Sequence, residues 1–163
     1  MRQFKRINEW RLIALGGLAG GAAEMLWVTL YSAAGDVSAA EIARQVTASL
    51  YPAAGAWTLA PALGIAIHMI LALALAALCA PLLIRLTQHH ATSTALILVA
   101  VLALTLVWAV NFFLVLPVLN PGFVTLMPYA ATLVSKMLFG LAMAAVLQHG
   151  SITSSARTVS RGR

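Results

Sequence analysis

The sequence predicts an all-α integral membrane protein, a four-transmembrane-helix bundle with a short amphipathic surface helix between its first and second spans. Three observations carry this. Of 163 residues, 62% are hydrophobic and only 9% charged, against roughly 25% charged in soluble domains. Four apolar segments, residues 12–34, 59–83, 95–116 and 129–147, each come close to the ~20 residues that cross a bilayer. All bases except Lys136 lie outside those segments, so the net charge of +6 points to topology and anionic lipid, with no nucleic-acid partner.

The opening stretch, residues 1–11, is a basic N-terminus: Arg2, Lys5, Arg6 and Arg11 stand before the first span, and Trp10 suits an interface. Bases followed by an apolar stretch also fit a signal peptide cleaved near Ala23, but apolar character continues well past that point, which favours a retained span. Within residues 12–34, Gly16 with Gly20 and Gly17 with Gly21 form two overlapping GxxxG pairs. Such pairs let a neighbouring helix approach the backbone; packing within one chain is preferred here over a dimer seam. Glu24 continues that face near the middle of the span, and Trp27 and Tyr31 carry it toward the far interface.

Gly35 and Asp36 end the first span. Residues 38–50 then read as an interfacial helix: Ser38 with Glu41 makes a capping-box pattern, and Ile42, Val46 and Leu50 form an apolar stripe. The second span, residues 59–83, admits Pro61 in its first turn, carries His68 near mid-membrane, and is expected to end around Pro81 and Arg85. A lone intramembrane histidine fits structural hydrogen bonding, proton or substrate contact, or metal ligation; the last is disfavoured because no other span contains a histidine. Met69 and the single cysteine, Cys79, leave soft-metal chemistry as a remote alternative, and a bis-histidine haem would need a homodimer. His89 and His90 fall in the short polar connection and read as solvated residues.

The third span, residues 95–116, places Trp108 and Asn111 on one face, with Asn111 able to bond a partner helix or a ligand; Pro117 is expected to stop it. The stretch VLNPGFVTLMP that follows has no charge and is expected to fold back as an interfacial cap, with Asn120, Pro121 and Gly122 as a turn. The fourth span, residues 129–147, sets Thr132, Lys136 and Gly140 at four-residue spacing, a small and polar face matching the glycines of the first span. Residues 148–163 are Ser-rich and basic and read as a disordered tail.

Counting bases beside the spans puts both termini on the cytoplasmic side of a bacterial-type inner membrane, with only Arg44, Asp36 and Glu41 opposite. At about 1.5 Å rise per residue, Glu24 lies about 18 Å from the cytoplasmic surface and Lys136 about 12 Å from the other. In a core about 30 Å thick these depths coincide. Glu24, His68, Asn111 and Lys136 are therefore expected to form one intramembrane polar layer, either a structural ion pair that fixes helix neighbours or a site holding a small ligand, a proton or a partner helix. No catalytic triad, phosphate loop or metal-ligand spacing occurs, so neither an enzyme nor a particular cofactor is implied. The reading that follows is a membrane binding or accessory subunit, alone as a homo-oligomer or within a larger membrane complex. An oligomeric proton-linked transporter or channel is second, and a haem- or metal-binding membrane protein third.

Overall fold

The structure, a computed structural model, describes residues 2–87 and 93–160. His89, His90, Arg161 and Arg163 lie outside them. The chain is all-helical, and no strand occurs among the described residues. Its elements are α1 (Arg2–Ala34), α2 (Ala39–Leu50), a 3-10 turn (Pro52–Ala56), α3 (Ala60–Thr87), α4 (Ser93–Val110), a π turn (Asn111–Val115), α5 (Leu116–Leu119), α6 (Pro121–Leu126) and α7 (Tyr129–Ser160). Four stretches, Glu9–Ala34, Ala60–Leu83, Thr94–Leu119 and Tyr129–His149, are long and apolar enough to cross a membrane.

Helix α1 is the central rod. It packs against α3 on one side and α7 on the other, and α4 packs chiefly against α7. The two glycine pairs divide this work. A Cβ on Gly16 would stand 3.2 Å from Met143 Cγ and one on Gly20 2.8 Å from the Phe139 ring, both on α7. A Cβ on Gly17 would stand 2.9 Å from Ala76 Cβ and one on Gly21 2.9 Å from Ala72 Cβ, both on α3. Neighbours within the same chain thus occupy both GxxxG seams, where close approach maximises dispersion. Gly140 does not join them as its spacing suggested. It turns to α4, where a Cβ would stand 3.2 Å from the Ala100 carbonyl oxygen and from Val101 Cα. Position around α7 decides this: Phe139 and Met143 already take the α1 face.

At the end of the bundle that holds the chain termini, one apolar cluster unites the four long helices. Ile13, Ala72, Ala76, Leu83, Ala100, Leu104, Phe139, Met143 and Leu147 are among its members. At the opposite end two smaller clusters replace it. One gathers Ile42, Met127 and Ala131 with Val28 and Tyr31; the other gathers Trp108, Phe112 and Leu116 with Phe123 and Leu133. Neither contains a residue of α3.

Several boundaries depart from those the sequence predicts. Helix α1 begins at Arg2, because nothing in residues 2–11 breaks a helix that the span has already nucleated. Helix α7 likewise runs to Ser160, so the stretch read as a disordered tail continues the helix; Ser, Thr, Ala and Arg extend an existing helix at small cost. Pro81 lies inside α3 and does not end it, since neighbouring helices compensate for the missing N–H in a packed apolar segment. Pro117 does not end the third rod either. Its ring would clash with the carbonyl four residues back, and the preceding turn widens so that Leu116 N–H donates to the Asn111 carbonyl, five residues away.

Helix α2 is docked more tightly than a helix merely lying on a surface. The Ser38 hydroxyl caps it, accepting from Glu41 N–H at 3.1 Å. The Glu41 carboxylate does not complete a reciprocal box; it pairs with Arg44 at 3.3 Å and accepts from Gln45 at 2.8 Å. Thr47, fully buried, donates to the Ala60 carbonyl at 2.6 Å, and a Cβ on Gly64 would overlap the Ala43 carbonyl. The buried face is therefore Ile42 and Thr47, and Leu50, expected to finish the apolar stripe, is exposed. Small residues at the crossing set this rotation, because backbone proximity outweighs the hydrophobicity of one leucine.

Candidate functional site

Helix α1 delivers Glu24 into the space between α3 and α7, where the residue is only 4% exposed. Gly20, one turn earlier, admits the Phe139 ring of α7, and Lys136 lies one turn before that ring on the same face. The Lys136 Nζ stands 2.7 Å from Glu24 Oε1 and 5.4 Å from the centre of the Phe139 ring. The glycine gap, the ring it receives and the ammonium are thus one packed unit, with the cation held by a carboxylate and a π face.

Two further groups complete the cluster. The Ser135 hydroxyl donates to the same Oε1 at 3.4 Å. From α3, His68 Nε2 approaches Oε2 to 3.6 Å and the Gly21 carbonyl to 3.4 Å. Like the Ser135 bond, both contacts are long, so the imidazole is adjacent to the carboxylate without being locked to it. Exposure divides the members: the Glu24 side chain is 5% accessible, Lys136 20% and His68 27%. One sealed acid therefore faces two bases that each keep an open side.

The remaining residues expected in the layer are placed differently. Asn111 makes no hydrogen bond to the cluster among the described residues; it begins the π turn, and its carbonyl accepts from Leu116 N–H. Trp27 Nε1 donates to the Ala131 carbonyl at 2.8 Å, tying α1 to α7. Trp108 Nε1 donates to Thr132 Oγ1 at 3.0 Å, and that hydroxyl donates to the Tyr129 carbonyl at 3.0 Å. Trp108 also stacks on Phe112 and meets Phe113 and Tyr129 edge-on, which makes an aromatic cap one turn from Lys136. Tyr31 packs beside Ile42 and Met127. Among the described residues no group of three or more His, Cys, Asp or Glu could hold a metal ion.

Sequence reasoning missed Ser135 and Asn120. Ser135 adjoins Lys136, and a hydroxyl next to an intramembrane cation was the available signal. Asn120, read as part of a turn, caps α6 by accepting from Phe123 N–H at 3.1 Å. Its amide also donates to Gln45 Oε1 at 3.0 Å and to Ser49 Oγ at 3.1 Å, pinning α6 to α2. An amide in an otherwise uncharged stretch was its only mark. No protein-family model, curated protein or solved structure matches this chain.

Proposed function

We propose that this chain is a small multi-pass membrane protein that serves as a binding or accessory subunit, with Glu24, Lys136 and His68 as the site that holds a small ligand or a proton. Four apolar helices support the embedding, as do the large side chains they turn outward, among them Leu78, Leu102 and Leu106. The placement of bases beside the spans supports a bacterial-type inner membrane with both termini cytoplasmic. Its partners are the bilayer and either further copies of itself or a larger membrane complex.

A single observation carries the site reading: one buried carboxylate is shared by two bases that remain partly open. A purely structural pair needs one base, and a second beside the same acid leaves uncommitted hydrogen-bonding capacity at a depth where such capacity is costly. The loose His68 contact favours a second reading, an oligomeric proton-linked transporter, because an unlocked imidazole can exchange protons with a neighbouring acid.

The test is native mass spectrometry in mild detergent combined with paired substitution. Glu24→Gln or Lys136→Met alone should disturb assembly, and the two together should restore it while abolishing retention of a bound molecule. A double variant that assembles and still retains every bound species would reduce the cluster to a helix clamp. For the second reading, proteoliposomes should show pH-driven uptake that Glu24→Gln abolishes.

A further inference from the structure

The third rod carries one amide side chain, Asn111, and it is left without a bond. It stands eight residues before the end of that span at Leu119, which at the helix rise is about 12 Å inside the apolar layer. Its backbone carbonyl accepts from Leu116 N–H, but its side chain makes no hydrogen bond among the described residues. Ser32 Oγ is the only fully enclosed side-chain polar atom without a partner among them, so the amide of the half-buried Asn111 opens at the protein surface. That surface is apolar on both sides of it along the rod. Leu114 and Val115, one turn on, and Val118, nearer the membrane surface, are exposed, as are Leu102 and Leu106 before it.

An amide in that setting is costly to leave unpaired. It carries two N–H donors and an acceptor oxygen, and hydrocarbon answers neither. A hydroxyl in a helix escapes the cost by turning back onto the carbonyl one turn earlier, as Thr29 does in donating to the Met25 carbonyl at 2.8 Å. Asn111 makes no such bond, so its partner is external to the chain.

The chemistry of the group fits a second copy of the same chain. Donor and acceptor sit on one planar amide, so two asparagines related by a two-fold axis satisfy each other reciprocally. Copies inserted in one orientation bring residue 111 to the same depth without adjustment. The other seam open to two copies by sequence, the GxxxG pairs of α1, is filled by α3 and α7 of the same chain. Resting on the reading that this chain associates within the membrane, we infer that Asn111 is the polar contact of a homodimer. The third rods of two copies pack side by side along Leu114, Val115 and Val118, and their Asn111 amides bond to each other.

Single-molecule photobleaching of the full chain in liposomes, over a series of protein-to-lipid ratios, reads the dimer fraction. The wild type should pass from one bleaching step to two as its density rises, and a chain that stays monomeric throughout overturns the inference. Asn111→Leu keeps the size and removes the amide. It should move the dimerisation midpoint to about sevenfold higher density, the effect of two interhelical bonds of ordinary strength. An unmoved midpoint overturns the inference. So does a lower thermal unfolding midpoint for Asn111→Leu at densities where the chain is monomeric, because the amide would then be bonded within its own fold. Native mass spectrometry separates this contact from the Glu24 site. A monomeric chain whose bound molecule still depends on Lys136 overturns the dimer and leaves the site reading standing, whereas a monomeric chain with no Lys136-dependent species overturns both.

Discussion

The two ends of the bundle cohere by different means. Toward the termini, Gly16, Gly17, Ala72, Ala76 and Ala100 let backbones approach until one apolar cluster links all four rods. Toward α2 and α6, α3 contributes no residue to the apolar clusters, and longer side chains tie the other rods together: Lys136 reaching Glu24, Trp27 reaching Ala131, Trp108 reaching Thr132. Where small residues let backbones touch, dispersion suffices; elsewhere polar side chains join the helices.

The largest effect should come from cutting the polar end at its centre. Lys136→Met leaves a buried carboxylate with only a distant imidazole and a serine, and should lower stability by about 3–5 kcal/mol. Thermal unfolding in detergent measures it, and adding Glu24→Gln should recover most of the loss. If the single variant is as stable as the wild type, the polar end is not held by its ion pair.

The glycine seam should respond in a graded way. Gly17→Ala sets a methyl against backbone atoms of α3 that cannot swing aside and should cost about 1–3 kcal/mol, with Gly20→Ala somewhat less because a ring can tilt. Gly122→Ala, whose nearest neighbour would be 3.5 Å away, is the control and should be close to neutral. Equal unfolding midpoints for Gly17→Ala and Gly122→Ala would show that close approach is not what binds α1 to α3.

Smaller effects should separate the caps from the bundle. Asn120→Ala removes the α6 cap and its bonds to α2, and should lower stability by about 1–2 kcal/mol. Faster amide hydrogen exchange confined to α2 and α6 checks that it acts locally. Trp108→Phe keeps the ring stack and loses the bond to Thr132, for about 1 kcal/mol. Unchanged stability would show that the Trp108–Thr132 bond does not hold that end.

Much of this was legible in the chain. Apolar runs of span length give the rods, and helix rise per residue brings Glu24 and Lys136 to one depth, because both follow from local periodicity and the cost of an unpaired charge in oil. Ser38 was legible as a cap for the same local reason. Asn111 was not, since depth says nothing of azimuth around the helix. Nor was Gly140, whose small size fits any neighbour and names none.

The residue order by itself determined that four apolar helices form and that a buried acid requires a buried base at its level. Only the tertiary structure decided that His68 stands beside that acid and that Ser135 supports it. Hydropathy and rise are properties of single helices, whereas the choice of neighbours arises from crossings set by where glycines and alanines let two backbones meet.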